Sequence, residues 1–186
     1  GTDKRSGCHN YTEHYYSYFA HQASHIRKVL EIGVLYGASL HMWADFFSNA
    51  IIYGIDKEPD CIRYQTDRIR IFTGSQENVD FLNHLLERIG SDFDLIVDDG
   101  GHKMAQQITS FLVLFPHLRP GGIYVIEDLH TSYWKSFGGG EKKPGTTMAF
   151  LKNLIDEIHK TESSVSENTF EKQIKFSLII TLLFFL

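Results

Sequence analysis

Cysteine is scarce in this chain of 186 residues, which contains Cys8 and Cys61 and no third cysteine. Two cysteines are too few for a disulfide framework, and no second pair of ligands stands at zinc spacing from Cys8 and His9. A basic excess is also lacking, since the formal net charge is −5 at pH 7. Proteins that hold duplex nucleic acid need a basic surface for its phosphates. The sequence therefore excludes a disulfide scaffold and a zinc module, and it predicts no nucleic-acid partner.

A hydrophobic run long enough to span a membrane is the third absence. The most apolar stretch, residues 176–186, supplies only about half of the ~20 residues that a spanning helix needs. It predicts a last buried strand, with a peripheral contact to a membrane surface as the alternative. No basic-then-apolar signal segment opens the chain, so a cytoplasmic location is expected.

Strand-like and helix-like segments alternate along the chain. The predicted strands are 29–33, 51–56, 69–72, 95–98 and 123–127, and the predicted helices are 11–28, 37–46, 62–68, 78–89, 104–115 and 147–160. This alternation predicts an α/β fold, a doubly wound and mostly parallel sheet with helices on both faces. A single domain over 1–186 is expected, with an N-terminal helical cap at 1–28 beside the substrate. The glycine-rich segment 138–145 is predicted to be a flexible loop that could act as a lid.

Carboxylates end two of the predicted strands. Asp99 follows the strand at 95–98, Glu127 and Asp128 lie at the end of the strand at 123–127, and His102 stands one turn after Asp99. Because parallel neighbouring strands deliver their carboxyl ends to the same sheet edge, we expect these side chains to meet. Hard oxygen ligands beside a base predict a Mg²⁺ site and metal-assisted proton abstraction. The alternative is that the acids cap strand ends or helix N-termini in water.

A glycine loop follows the first predicted strand. Gly33 and Gly37 would let the backbone pass close beneath a ligand, and Asp56 ends the second strand about 20 residues further on, where an acid can accept the hydroxyls of a ribose. The loop lacks the dinucleotide glycine spacing and the lysine of a phosphate-binding loop. Together these features predict an adenosine-like ligand. The alternative is that the glycines serve turns and that Asp56 caps a helix.

These segments resemble class I S-adenosylmethionine-dependent methyltransferases. More narrowly, they are similar to the Mg²⁺-dependent sugar O-methyltransferases of macrolide and other natural-product pathways, the mycinamicin and tylosin type. The matching segments are 1–4 with Tyr11, 29–40, 53–56, 97–102 and 124–134. The resemblance implies methyl transfer from S-adenosylmethionine to a sugar hydroxyl of a small-molecule glycoside. The alternatives are a catechol-type O-methyltransferase and a non-catalytic domain that binds the donor or the metal.

The resemblance also assigns roles residue by residue. The residues implied to contact the methyl donor are Thr2, Tyr11, Glu31, Gly33, Gly37, Asp56, Ser75, Gln76 and Asp98. The implied metal ligands are Asp99, Glu127 and Asp128, and the implied general base is His102. Tyr133 and Trp134 would wall the pockets, with ordinary packing as the alternative. Residues 176–186 depart from the antiparallel strand pair that ends the family's sheet, so an unprotected edge and self-association into a homo-oligomer stay open.

Overall fold

Five parallel strands form one sheet in the computed structural model, which describes residues 2, 4, 7 and 11–160, the side chains of 158–160 excepted. The strands are β1 (Lys28–Ile32), β2 (Ile51–Asp56), β3 (Ile69–Thr73), β4 (Phe93–Asp98) and β5 (Leu118–Ile126). They lie in the order β3-β2-β1-β4-β5, and every adjacent pair is parallel. The strand order reverses between β1 and β4. The carboxyl ends of these two strands are the position at which doubly wound proteins bind ligands.

One helix precedes the first strand, and the other helices lie between or after the strands, so that helices cover both faces of the sheet. They are α1 (Tyr11–Phe19), α2 (Ala38–Phe46), α3 (Val79–Ile89), α4 (Met104–Leu114) and α5 (Thr147–Lys160). Neighbouring residues of β1 point to opposite faces, since Val29 packs in a cluster with Trp43 of α2, whereas Leu30 packs in another with Leu82 of α3 and Phe111 of α4. The predicted α/β class is therefore confirmed.

Most predicted element bounds differ from the structure by one or two residues, and three elements differ by more. The first helix ends at Phe19, because the polar residues that follow offer no apolar face and turn through a 3-10 helix at Ala23–His25. The helix predicted at 62–68 is a 3-10 helix at Pro59–Tyr64, whose one buried side chain, Cys61, gives little packing for a longer helix. β5 begins at Leu118, which pairs with Phe93 before a register shift.

Further 3-10 turns shape the loops beyond α4 and β5. They lie at Phe115–His117, Leu129–Tyr133 and Lys135–Phe137. The segment 138–145 is mostly exposed, and its start is tied back because the Gly139 N–H donates to the Trp134 carbonyl at 2.9 Å. Its action as a lid stays a prediction.

Within the described residues, no helix is both long and apolar enough to cross a membrane. The strand or membrane contact predicted at 176–186 lies outside the described residues, as do Cys8 and His9.

Candidate active site

A cavity of about 710 Å³ lies over the carboxyl edge of the sheet and is large enough for a cofactor-sized ligand. The loops that follow all five strands contribute to its wall. The predicted site residues that line it are Thr2, Gly33, Asp56, Ser75, Gln76, Asp99, His102 and Asp128. The predicted site residues that do not line it are Tyr11, Glu31, Gly37, Asp98 and Glu127. The structure thus separates residues that can touch a ligand from residues that lie behind the wall.

The loop after β1 requires glycine at two positions. Gly33 has a φ of +95°, and a Cβ there would lie 2.1 Å from the backbone oxygen of Asp99. Gly37 has a φ of +72°, and a Cβ there would lie 2.8 Å from the Tyr64 side chain. Only glycine combines these conformations with such close approach. The loop after β1 and the loop that carries Asp99 are therefore packed directly on each other.

Asp56 organises the glycine loop from the end of β2. Its Oδ2 accepts hydrogen bonds from the N–H groups of Val34 at 2.8 Å and Leu35 at 3.0 Å, and its Oδ1 accepts one from Glu58 at 2.9 Å. Partial burial opposes ionisation, yet these backbone donors hold the pKa of Asp56 below its ordinary value. An ionised carboxylate has about four lone-pair sites, so capacity is left for a ribose hydroxyl. Its role in donor binding stays a prediction.

Gln76 lines the cavity, and its amide is bonded to Asp98, which lies behind the cavity wall. The Gln76 Nε2 donates to Asp98 Oδ1 at 2.9 Å, and its Oε1 accepts from the Gly101 N–H at 2.8 Å. The Ser110 hydroxyl donates to the other oxygen of Asp98. Burial raises the pKa of Asp98 despite these donors. The pair ties β3, β4 and α4 to the loop before His102, and the Gln76 amide already has protein partners on both of its polar atoms.

Asp99, His102 and Asp128 come together at the end of the sheet as expected. One ligand atom from each lies within 4.8 Å of the others. The His102 Nε2 lies 3.5 Å from Asp128 Oδ2 and 3.9 Å from Asp99 Oδ1. His102 and Asp128 both have positive φ values, +55° and +54°, an unusual conformation for residues with side chains. Two carboxylates and an imidazole are a donor set that suits a divalent cation.

Glu127 lies beside this group but turns away from it. Its Oε1 accepts a hydrogen bond from the Tyr15 hydroxyl at 2.6 Å, and its Oε2 accepts one from Lys4 at 2.8 Å. Burial raises the pKa of Glu127 to about 8. Among the described residues, the group at metal-binding distance consists of Asp99, His102 and Asp128 without Glu127. Its role as a third metal ligand stays a prediction.

Lys4 is a site residue that sequence reasoning missed. It is fully buried, and its ammonium contacts Glu127, Asp99 and, at 3.5 Å, Glu31. Burial alone would lower the pKa of Lys4, but the surrounding carboxylates raise it well above its ordinary value. No periodicity or spacing marks a lysine in this role. The only available signal was its place in the segment 1–4 that matches the family.

Glu31 is fully buried behind the cavity wall. It accepts a hydrogen bond from the Ser39 hydroxyl at 2.8 Å and lies next to Lys4. Burial raises the pKa of Glu31 to about 7. Contact between Glu31 and a methyl donor would need a different arrangement of the wall, so its assignment to the donor also stays a prediction.

Tyr133 and Trp134, which the family resemblance predicts to wall the pockets, do not line the cavity. Tyr133 and Trp134 are about half exposed, and the Trp134 ring packs on His130 at 4.6 Å between centroids. The Phe137 ring lies 6.4 Å from the His102 ring. Phe137 thus borders His102 from the loop after β5, and the wall role of Tyr133 and Trp134 stays a prediction.

The sheet order, the glycine loop and the acid at the end of β2 define a doubly wound α/β protein with a ligand site at its carboxyl edge. The chain belongs to the methyltransferase family, whose model, described as "Methyltransferase domain", matches residues 30–129. The resemblance to this family is therefore confirmed.

Sugar O-methyltransferases are among the similar curated proteins. Mycinamicin VI 2''-O-methyltransferase of Micromonospora griseorubida is 42% identical over 171 residues, which are 87% of this chain and 42% of that protein. Demethylmacrocin O-methyltransferase of Streptomyces fradiae is 40% identical, with 87% and 43% covered. The solved structure of MycE from the mycinamycin pathway in complex with Mg, SAH and mycinamycin VI has a TM-score of 0.78 at 41% identity, covering 85% of this chain and 45% of that one. The chain spans less than half the length of these relatives.

Proposed function

We propose that this chain catalyses S-adenosylmethionine-dependent and Mg²⁺-dependent methyl transfer to a sugar hydroxyl of a glycosylated natural product. The observation that carries the proposal is the convergence of Asp99, His102 and Asp128 on the wall of the cavity that Asp56 also lines. The names of the similar proteins, which act on mycinamicin VI and demethylmacrocin, support a glycoside acceptor.

Asp56 and the loop after β1 would hold the methyl donor. The ionised Asp56 carboxylate would accept a hydrogen bond from a ribose hydroxyl, and Ser75 would lie near the adenine. Gly33 would let the loop backbone pack against the Asp99 backbone, which leaves room for the donor over the carboxyl ends of β1 and β4. When bound, S-adenosylmethionine supplies a methyl group on a positively charged sulfur.

Asp99 and Asp128 would hold Mg²⁺ through carboxylate oxygens, the ligands that this cation prefers. Glu127 would join them by sharing an oxygen that already accepts from Lys4 or Tyr15. A bound Mg²⁺ would lower the pKa of the acceptor hydroxyl. The Nε2 of His102 would then take the proton, and Asp128, whose Oδ2 lies 3.5 Å from this nitrogen, would stabilise the protonated ring.

The test is methyl transfer from isotopically labelled donor to a panel of deoxysugar glycosides, with Mg²⁺ or with a chelator. Transfer is expected with Mg²⁺ and not with the chelator. His102→Ala should lose about 10²–10⁴-fold in turnover, the usual share of a general base, while it keeps its affinity for S-adenosylhomocysteine. His41→Ala, an exposed histidine of α2, is the matched control and should behave as the wild type.

Three outcomes would contradict the proposal in different ways. Donor binding without transfer to any glycoside would favour a non-catalytic binding domain. Transfer to a catechol by His102→Ala at the wild-type rate would favour the catechol-type alternative. Full activity in the chelator would remove the metal from the mechanism.

A further inference from the structure

Helix α1 directs two tyrosine hydroxyls at the acids that follow β5. Tyr11 and Tyr15 lie one helical turn apart on its buried face, and each is less than 5% exposed. The Tyr11 hydroxyl donates to Asp128 Oδ1 at 2.8 Å, and the Tyr15 hydroxyl donates to Glu127 Oε1 at 2.6 Å. The next residue on the same face, Phe19, has no hydroxyl and packs against Phe47. The two positions with a polar atom are therefore those that face carboxylates.

Lys4 supplies a third donor from the same segment of chain. Its ammonium donates to Asp99 Oδ2 and to Glu127 Oε2. Its backbone is fixed to the first turn of α1, because the Lys4 carbonyl accepts from the Thr12 N–H at 3.0 Å. Lys4, Tyr11 and Tyr15, which we call the N-terminal clasp, thus give every predicted metal ligand at least one donor.

The clasp leaves the opposite oxygens of Asp99 and Asp128 directed at His102. Lys4 engages Asp99 Oδ2, and the Oδ1 of the same group lies 3.9 Å from His102 Nε2. Tyr11 engages Asp128 Oδ1, and its Oδ2 lies 3.5 Å from the same nitrogen. A carboxylate held at one oxygen cannot rotate without breaking that bond. The clasp therefore fixes which oxygen of each acid faces the candidate metal site and the base.

We propose that Lys4, Tyr11 and Tyr15 are positioning residues that set the orientation of the metal-binding carboxylates. They act through Asp99, Glu127 and Asp128, and they form hydrogen bonds to ligand groups of the kind that tune metal affinity in other proteins. This inference rests on the metal dependence in the proposed function. It adds that the metal affinity depends on the residues that orient the ligands as well as on the ligands themselves.

The experiment measures the affinity of the full 186-residue chain for Mn²⁺, by the electron paramagnetic resonance signal of the free ion. Tyr11→Phe and Tyr15→Phe remove one hydroxyl each and change no charge. Each is expected to weaken Mn²⁺ binding by about 10–100-fold, the usual effect of losing such a partner. Tyr16→Phe is the matched control, because Tyr16 lies on the same helix but is 65% exposed. It should bind Mn²⁺ as the wild type does.

Lys4→Met separates positioning from charge. If Lys4 only supplied a counter-charge, its loss would tighten Mn²⁺ binding, because a repelling cation would be gone. If Lys4 positions Asp99, its loss should weaken Mn²⁺ binding. Thermal unfolding and the affinity of Tyr15→Phe for S-adenosylhomocysteine, measured on the same samples, check the fold. A role in packing alone would not weaken Mn²⁺ binding while both of these stay at wild-type values.

Two results would overturn the inference. If the wild type binds Mn²⁺ and the two clasp tyrosine variants bind it as tightly as Tyr16→Phe, the clasp does not position the ligands. Tighter binding by Lys4→Met would overturn the role given to Lys4. Absence of Mn²⁺ binding by the wild type would instead overturn the metal dependence of the proposed function, and the clasp with it.

Discussion

Asp56 is the single residue on which donor binding is expected to depend most directly. Asp56→Ala should weaken the binding of S-adenosylhomocysteine by about 1.5–3 kcal/mol, since a charged hydrogen-bond acceptor is lost. Calorimetry measures this, with Asp67→Ala, an exposed acid, as the control. Because Asp56 also binds the N–H groups of Val34 and Leu35, Asp56→Asn is a useful second variant that keeps one acceptor oxygen. Equal affinity in wild type and Asp56→Ala would contradict the ribose assignment.

We expect Glu31 to make the free energy of unfolding depend on pH. Burial raises its pKa to about 7 in the folded chain, from an ordinary value of 4.5. The folded state therefore binds more protons than the unfolded state between these values, so this contribution is fully present below pH 4.5 and is lost as the pH rises through 7. Glu31→Gln should flatten the fall in unfolding free energy between pH 5 and pH 8, measured with urea in a chelator.

The control for the pH series is Glu87→Gln, because Glu87 is exposed on α3. Its unfolding curve should follow that of the wild type at every pH. A wild-type slope that survives unchanged in Glu31→Gln would show that other acids cause it.

Single residues differ in how well the sequence predicts them. Asp99 and Asp128 could be placed together because each follows a strand whose hydrophobic pattern is plain, and parallel neighbours share an edge. Lys4 could not, because its burial depends on where the segment before α1 packs, and no periodicity encodes that. Glu127 follows a strand end just as Asp128 does, and only the side-chain partners reveal that it faces Tyr15 and Lys4.

At the scale of elements, the packing of the loop after β1 on the loop that carries Asp99 predicts how much a substitution at Gly33 destabilises the chain. Gly33 and Gly145 both have positive φ values, +95° and +75°, but a Cβ would meet the Asp99 backbone at the first and nothing within 4 Å at the second. Gly145→Ala should cost only the strain of a left-handed residue, about 1–2 kcal/mol. Gly33→Ala should cost clearly more in urea unfolding, and it should also weaken the binding of S-adenosylhomocysteine. Equal costs would mean that the two loops are not packed as described.

Element types followed from the sequence more readily than element ends. The alternation of apolar strands and amphipathic helices predicted α3 and α4 almost to the residue, because their inward positions recur at helical spacing. The first helix was predicted too long, since Ile26 fits a helical pattern but is buried after the 3-10 turn at Ala23–His25. The helix predicted at 62–68 was also wrong, because a few apolar residues do not distinguish an α-helix from the short 3-10 helix found at Pro59–Tyr64.

At the scale of the whole molecule, the acids grouped around Lys4 outnumber the one ammonium that contacts them among the described residues. Glu31, Asp99 and Glu127 surround Lys4, and Asp128 lies beside them. Burial raises the pKa of each of the three acids that contact Lys4. A divalent cation and a positively charged methyl donor would balance the remaining charge. The excess of acidic groups at the site would therefore favour the binding of these two positively charged ligands.

This excess of acidic groups predicts that Mg²⁺ stabilises the folded chain. A ligand that binds only the folded state at 100 times its dissociation constant adds about 2.7 kcal/mol to the free energy of unfolding. Thermal unfolding should therefore shift upward with Mg²⁺, and Asp99→Asn should remove most of the shift because it removes a ligand charge. NaCl at matched ionic strength is the control, since screening alone relieves some repulsion between the acids. A shift of the same size in NaCl, or in Asp99→Asn, would place the stabilisation in general screening rather than in a bound cation.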